Sequence, residues 1–237
     1  VVERVLADHP EGTTLGLDVL RELLACYGID VLETVPVSTA DDAVKAGERM
    51  GWDVVLKATA PHLRHRPDLA DVWRNIDTPD EMHDAWQTMS HTLADPSEAG
   101  FVVQPMAPGG VPVVVRAEED RQFGPVVSFG VSGLTTDLLG DRSYRIPPLT
   151  DVDADEMIHE VRAAPLLLGY RGGDVADTAA LAELLHRVAQ LTDDLPEVAD
   201  VELNPVLIAP RGLAILGATV RVAPAAARWD WYARRLV

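Results

Sequence analysis

FVVQPMAPGGVPVVVRAEEDRQFGPVVSFGVSG, residues 101–133, contains three short runs that are rich in β-branched residues, at 101–106, 111–117 and 125–130. Pro-Gly-Gly separates the first two runs, and an acidic turn separates the second from the third. Short β-branched runs separated by turn-forming segments are typical of β-strands joined by tight turns. The stretch therefore predicts a sheet that folds back on itself, with the rest of the chain flanking it.

Helical and strand patterns alternate along the remaining sequence. Ser38 with Asp41 is expected to begin a helix that Gly51 ends, and Thr78-Pro79-Asp80-Glu81 has the pattern of a capping box. Alternating strands and helices predict an α/β fold with mixed sheets flanked by helices. The predicted helices are 14–27, 38–51, 78–93, 153–164 and 177–191, and the predicted strands outside 101–133 are 31–37, 52–58, 198–208 and 213–222.

Two lobes are expected, because the first half of the 237-residue chain is rich in helix patterns and the second half in strand patterns. The smaller lobe is predicted to comprise residues 20–100. The larger lobe is predicted to comprise residues 1–19 together with 101–237, and the two meet at the segment from Gly100 to Met106.

The charge of the chain excludes some partners. Its 20 basic and 38 acidic residues give a net charge of −18, which argues against nucleic acid and anionic membrane surfaces as partners. The single cysteine, Cys26, excludes an internal disulfide and is typical of a cytoplasmic protein. We expect no membrane span, because no apolar run reaches 18 residues. The chain starts with Val1 rather than Met, as a fragment, a processed protein or one cleaved from a tag would.

Three features are candidates for binding an anion, each with a plainer alternative. Lys57 ends the predicted strand 52–58, where a lysine either meets an anionic partner inside the fold or is solvated at an edge. Gly130 and Gly133 either form an ordinary turn or bring backbone N–H groups close to a phosphate. The loop 61–68 is crowded with His and Arg, which suits phosphate contact but equally suits a solvated loop, and its spacing matches no zinc motif.

Eight short segments match one known family in the same order along the chain. They are Tyr27-Gly28-Ile29, Val54-Val55-Leu56-Lys57, His65-Arg66-Pro67-Asp68, Val103-Gln104-Pro105-Met106, 123–130, 145–150, Gly169-Tyr170-Arg171-Gly172 and Glu202-Leu203-Asn204-Pro205. From about residue 14 to 222 the chain resembles the ATP-grasp domain of ADP-forming acyl-CoA synthetases, a relative of the succinyl-CoA synthetase β chain. The resemblance implies an ATP-grasp fold whose two lobes hold ATP between them.

The resemblance also implies roles for individual residues. Lys57 would reach the phosphates, and Gly130 to Gly133 would lie near the phosphate path, which suits a reaction catalysed by positioning and charge neutralisation. His65 matches a family position that some members use in phosphate relay, which makes it the catalytic candidate. The adenine edge would be taken by the backbone around Gln104, Pro105 and Met106.

A magnesium ion is implied by the same resemblance, but its site is incomplete. The family holds Mg²⁺ through the Asn of the Asn-Pro turn and an acidic residue one strand later. Here Asn204 is present and the later segment reads Leu216-Gly217-Ala218-Thr219, without a carboxylate. Since Mg²⁺ prefers carboxylate oxygens, this loss is expected to weaken the metal, and Gly217→Asp is expected to restore it.

Other acidic residues and other departures bear on the same site. Glu202 is the second metal candidate, and Asp137 and Asp141 are further substitutes. Pro112 stands where the family has Glu, and Ala70-Asp71 replaces a double glycine, so the cleft is expected to be more crowded.

Family members make an acyl-CoA from acid, CoA and ATP by way of a phosphohistidine on a separate CoA-binding part. Chains fused to a Gcn5-related acetyltransferase resemble this one at Leu216-Gly217-Ala218 and at the Arg-rich end, 233–236. We therefore expect a degenerate domain that regulates an attached protein acetyltransferase, with CoA-binding and acyltransferase parts on the same longer chain or a partner subunit. The alternatives are a competent ATP-binding half of an ADP-forming ligase and a structural, dimerising domain that forms a homo-oligomer.

Overall fold

The computed structural model describes residues 1–59, 72–92, 100–133 and 138–225. The helices are α1 (Val2–Asp8), α2 (Leu17–Ala25), α3 (Ala40–Met50), α4 (Pro79–Thr92), α5 (Asp151–Glu160) and α6 (Thr178–Asp194), with 3₁₀ turns at Ala164–Leu166 and Tyr170–Gly172. The strands are β1 (Thr13–Thr14), β2 (Val35–Pro36), β3 (Val54–Ala58), β4 (Val72–Ile76), β5 (Phe101–Pro105), β6 (Val111–Asp120), β7 (Gly124–Val131), β8 (Ser143–Arg145), β9 (Val198–Ile208), β10 (Leu213–Ile215) and β11 (Ala218–Val222).

The chain divides into two compact units. A large unit comprises Val1–Val31 and Pro108–Val237, and a small unit comprises Leu32–Ala107. These boundaries differ from the predicted lobes in two places: 20–31, which includes most of α2, belongs to the large unit, and 101–107 belongs to the small unit. The second difference arises because β5 pairs along its whole length with β3.

The large unit is built on a sheet with the strand order β1-β11-β9-β6-β7-β8, in which β10 also pairs with β9. All of these ladders are antiparallel. Apolar residues at alternate positions of the strands face a core that α2, α5 and α6 complete, as the periodicity of two requires. Fully buried members of this core include Val115, Phe129, Met157, Leu185 and Leu203.

The small unit contains the antiparallel sheet β2-β5-β3-β4. Helices α3 and α4 pack on one of its faces, where Leu56 and Val103 meet the helical stripe of Met82, Ala85 and Met89. The sequence prediction that this Met-containing stripe forms core is confirmed by the complete burial of those three side chains.

Helix starts follow from local capping. The predicted capping box at Thr78 is present, with Glu81 Oε2 accepting the Thr78 N–H at 3.1 Å and Thr78 Oγ1 accepting the Glu81 N–H at 3.3 Å. Helix α3 is capped by Thr39 rather than by the predicted Ser38, because the Thr39 hydroxyl accepts the N–H of Asp42. Thr150 caps α5 in the same way, so this helix begins two residues before the predicted Asp153.

The predicted strands are partly revised by pairing between distant segments. Only the second and third runs of the opening stretch form a hairpin, β6–β7, while the first run becomes β5 of the other sheet. The predicted strand 31–37 is divided, since Val31 bridges Ile215 in the large unit and Val35 pairs with Val103 in the small unit. The predicted α/β class is confirmed. Within the described residues, no helix is long and apolar enough to cross a bilayer.

Candidate functional site

Lys57 and Gln104 lie on the same face of the small unit's sheet. Core residues Val54, Leu56 and Ala58 alternate with Val55 and Lys57 along β3, so the lysine side chain is on the face away from α3 and α4. Gln104 pairs with Val55 and is therefore on that face too. Since β3 is an inner strand of the sheet, the alternative that Lys57 stands at a sheet edge is excluded.

Gln104 is almost completely buried and is held by a hydrogen bond. Its Nε2 donates to Thr34 Oγ1 at 2.6 Å, and its exposed fraction is 3%. Beyond it, Pro105 and Met106 are half-buried, and the N–H of Met106 donates to the carbonyl of Asp53 at 2.7 Å. Because Pro105 has no N–H and that of Met106 is engaged, neither residue has a backbone N–H left to offer to a base edge.

A pocket of about 430 Å³ also lies in the small unit, but it is separate from these candidates. It is formed by the ends of β2, β3 and β5. Its lining among the described residues includes neither Lys57 nor Gln104. The residues that line it are Pro36, Val37, Ser38, Thr59, Gly100, Phe101 and Val102.

The two metal candidates lie together on β9 of the large unit. Asn204 Nδ2 donates a hydrogen bond to Glu202 Oε1 at 2.8 Å. The same Glu202 oxygen accepts a hydrogen bond from Arg116 Nη2 of β6 at 3.0 Å, an ion pair between side chains that are about one-quarter and one-third exposed. Glu202 and Arg116 are direct neighbours in the β6–β9 ladder, so the sheet register itself brings the pair together.

Further charged residues share this face of the sheet. Glu118 and Asp200 are neighbours across β6 and β9, and Asp200 is also opposite Arg221 of β11. Burial raises the pKa of Asp200, and the nearby carboxylates of Glu202 and Glu118 raise it further, whereas the two arginines lower it. This part of the face is therefore crowded with negative charge that two guanidinium groups partly neutralise.

These residues do not form a fitting magnesium site. Mg²⁺ requires near-octahedral oxygen coordination, yet Glu202 Oε1 already accepts two N–H groups, and Asn204 turns its amide nitrogen, not its oxygen, toward that carboxylate. No group of three or more His, Cys, Asp or Glu residues that could hold a metal ion occurs in the described ranges. One oxygen of the Glu202 carboxylate is instead already engaged by two nitrogen donors.

Gly217 adds a steric obstacle to a carboxylate at its position. The loop between β10 and β11 is tied to the middle of β9 by hydrogen bonds from Asn204 N to Gly217 O at 2.8 Å and from Leu216 N to Pro205 O at 2.9 Å. A Cβ added at Gly217 would lie 2.5 Å from the backbone oxygen of Asn204. Any side chain at 217, including the aspartate expected to restore the metal, therefore requires the backbone to move.

The glycine candidates have structural partners of their own. Gly130 lies in β7, where an added Cβ would come within 2.8 Å of the Asp141 carbonyl oxygen, so close packing alone accounts for a glycine. Gly133 follows the end of β7 with a positive φ of 153°. The Asp141 carboxylate accepts the N–H groups of Arg162 and Ala163 at 2.8 and 2.9 Å, which makes it a cap for the turn after α5 rather than a ready metal ligand.

Several predicted positions lie outside the described residues: His65, Ala70-Asp71 and Asp137. The sequence reasoning also missed two residues that contact the candidates, Thr34 in the small unit and Arg116 in the large unit. Thr34 could not be identified, because its contact with Gln104 spans 70 positions. Arg116 carried a local signal, since it alternates with the core residues Val115 and Ala117 and so had to lie on the outer face.

Comparison with known proteins places these observations in a family. Residues 7–222 match the family model described as the ATP-grasp domain. The chain is 34% identical to the beta subunit of ADP-forming acetate–CoA ligase II of Pyrococcus furiosus over 218 residues, 90% of this chain and 91% of that subunit. It is 35% identical to ADP-forming acetate–CoA ligase I of Archaeoglobus fulgidus over 219 residues, 91% of this chain but only 32% of that protein.

A solved structure agrees with the sequence relatives. The dinucleotide forming acetyl-coenzyme A synthetase 1 of Ca. Korarchaeum cryptofilum, in complex with coenzyme A, Ca-AMPCP and HgCl+, superposes with a TM-score of 0.78. The sequences are 30% identical, and the match covers 92% of this chain and 97% of that one. The predicted ATP-grasp fold is thereby confirmed. The chain belongs to the ATP-grasp domains of the ADP-forming acyl-CoA synthetase family.

Proposed function

We propose that this chain is a nucleotide-binding domain that has lost the metal site of its family and regulates an attached protein acetyltransferase rather than making an acyl-CoA. The observation that carries the proposal is that Arg116 and Asn204 both engage the same oxygen of the Glu202 carboxylate. Phosphoryl transfer depends on neutralising charge on the transferred group, a task that a metal normally performs. A domain without that metal is better suited to binding a nucleotide than to consuming it.

In this proposal the nucleotide is ATP or ADP. The ammonium of Lys57 binds its phosphates, and the segment around Gln104, Pro105 and Met106 takes the adenine edge. The glycines at 130 and 133 lie along the phosphate path, and His65 has no relay to perform if acyl-CoA is not made. The support is that Lys57 and Gln104 share one face of an inner pair of strands, which a scaffold alone does not require.

The partners we propose are a CoA-binding part and an acyltransferase part, on the same longer chain or on a partner subunit in the cytoplasm. The relatives support this, because one is named as a subunit and another is a single chain about three times as long as the matched region. A nucleotide bound here would then set the activity of the attached acyltransferase.

The test is calorimetric titration of the chain with ATP and with ADP. We expect binding that Lys57→Ala weakens about tenfold or more, because the ammonium is a charge partner of the phosphates. Lys45→Ala is the matched control, since the only other lysine is an exposed residue of α3 that pairs with Asp42 in its own helix. Equal loss in both variants, or no binding by the unmodified chain, would contradict the nucleotide proposal.

A second candidate is the competent ATP-binding half of an ADP-forming ligase. It is favoured by the match to nearly the full length of a ligase beta subunit. The two candidates predict different products when the chain is incubated with acetate, CoA, ATP and Mg²⁺ together with the CoA-binding part. Release of ADP coupled to acetyl-CoA would support the second candidate and refute the first.

A further inference from the structure

Arg116 places a guanidinium group directly beside Glu202, one of the two proposed metal ligands. It lies on β6, opposite Glu202 of β9, on the sheet face that turns away from the helices. Its Nη2 is 3.0 Å from Glu202 Oε1, and Asn204 Nδ2 meets the same oxygen from the other side at 2.8 Å. The three side chains thus form a unit that the register of two neighbouring strands fixes.

A divalent cation and this guanidinium compete for the same oxygen. A metal bound to Glu202 Oε1 would displace the Arg116 hydrogen bond and would then lie beside a positive charge that it repels. The guanidinium is covalently attached, so it is always present at the carboxylate, and an arginine stays charged at every physiological pH. The fixed cation therefore excludes the diffusible one.

The guanidinium also has hydrogen-bonding capacity left. It carries five N–H groups, of which one is used by Glu202, and its buried Nε finds no acceptor within the described residues. Buried donors without an acceptor are uncommon, and a planar guanidinium fork matches the oxygens of a phosphate. About one-third of the side chain is exposed, so a ligand can approach it.

We propose that Arg116 is a tethered cation that takes the place of the divalent metal and binds a phosphate oxygen of the nucleotide. The inference rests on the proposed nucleotide binding and specifies its chemistry: this chain takes the nucleotide as a free anion rather than as a metal complex. Arg116 is in this sense a specificity-determining residue, which selects the metal-free form of the ligand.

The experiment compares ATP binding in EDTA and in Mg²⁺ by calorimetry, for the unmodified chain and for Arg116→Gln, Arg116→Lys and Arg221→Gln. We expect the unmodified chain to bind at least as tightly in EDTA as in Mg²⁺. Arg116→Gln should lose about tenfold or more in EDTA, since a charge-assisted contact is lost. Arg116→Lys should lose less, because it keeps the charge but not the fork. Arg221→Gln is the matched control, because Arg221 is on the same sheet face but lies opposite Asp200, not opposite Glu202, in the β11–β9 ladder.

A second measurement uses metal alone. Titration with Mn²⁺, followed by the electron paramagnetic resonance signal of the free ion, should detect no site in the unmodified chain and a new, weak site in Arg116→Gln, where Glu118, Asp200 and Glu202 face each other with less neutralisation. Circular dichroism and melting curves establish that each variant is folded. If Arg116→Gln does not fold, the comparison of ATP binding uses Arg116→Lys in its place.

The outcomes separate the two proposals. ATP binding by the unmodified chain that requires Mg²⁺ and is unchanged in Arg116→Gln would overturn the tethered-cation inference and leave nucleotide binding intact. A Mn²⁺ site in the unmodified chain would overturn it as well. No ATP binding in either buffer would refute the proposed function, and the phosphate contact of Arg116 with it.

Discussion

Replacing Gly217 by alanine tests whether the loop after β10 packs against Asn204 of β9 as closely as the structure shows. The added Cβ would be 2.5 Å from the Asn204 backbone oxygen and 3.4 Å from its carbonyl carbon, whereas ordinary contacts at a Cβ are 3.4–4 Å. The obstacle is backbone on an inner strand, which cannot rotate away, so the clash needs a shift of nearly 1 Å in β9 or in the loop. Overpacking of this kind costs about 1–3 kcal/mol, and we expect the free energy of unfolding to fall by that amount.

The assay is urea unfolding followed by far-ultraviolet circular dichroism, with the midpoint and the slope fitted separately. Gly109→Ala is the matched control, because that glycine is in the same unit, has no positive φ and has no atom within 4 Å of the added Cβ. The control should stay within about 0.5 kcal/mol of the unmodified chain. Equal midpoints for Gly217→Ala and Gly109→Ala would refute the close approach, and with it the steric argument against a carboxylate at 217.

Two further predictions concern the two units separately. Met82→Ala should lower the stability of the small unit by about 2–5 kcal/mol, since the side chain is fully buried in the core of that unit. Tryptophan fluorescence during urea unfolding will measure the loss. The control is Met50→Ala, which is expected to cost less because Met50 is only half-buried. The Asp177 carboxylate accepts the N–H groups of Gly212 and Ala180, and these bonds lower its pKa. An acid with a lowered pKa stabilises the fold above its ordinary range and loses that effect as the pH falls through the folded value, so the melting temperature should drop below about pH 4. Asp177→Asn should show a smaller drop, and an identical pH profile would contradict the assignment.

Features that depend on neighbouring residues were predictable from the sequence. The capping box at Thr78 and Glu81 needs only two side chains three positions apart, and the stripe of Met82, Ala85 and Met89 needs only the helical period. Both are local, so the sequence contains all of the information. The error at α3 was one residue, because Ser38 and Thr39 are both good caps and only the backbone geometry distinguishes them.

Features that depend on pairing between distant segments of the chain were not predictable from the sequence. The run 101–106 has the same β-branched composition as the runs that follow, and nothing in it indicates that it pairs with β3 rather than with β6. Strand β4 was missed for a different reason: Trp73, Arg74 and Asn75 are all exposed, so the strand lacks apolar alternation, and Asn75 has a positive φ. The resemblance supplied the family, but it could not supply these registers.

In the candidate sites, too, local features could be predicted from the sequence and contacts between distant residues could not. Asn204 and Glu202 were chosen as candidates because they occur in one short motif, whereas the arginine that pairs with Glu202 is Arg116, 86 positions away. Gly217 was identified from the sequence as a missing carboxylate, which is half of its effect. The structure adds that the glycine lets the loop approach Asn204, so the position is filled by backbone as well as emptied of charge.

Arg116 and Gly217 both bear on the proposed ligand pair, Glu202 and Asn204, from different parts of the sheet. In the proposed metal-free site, Gly217 supplies no carboxylate and Arg116 holds a positive charge beside Glu202, so both would reduce the attraction of the pair for a metal ion. Neither requires the other sterically, because one is on β6 and the other follows β10. Reversing one alone leaves the second obstacle in place: in Gly217→Asp the guanidinium would still engage Glu202, and in Arg116→Gln the metal would still lack a carboxylate at position 217. We therefore expect either single change to restore no more than the weak Mn²⁺ site of Arg116→Gln, as in a domain that binds its nucleotide without the metal.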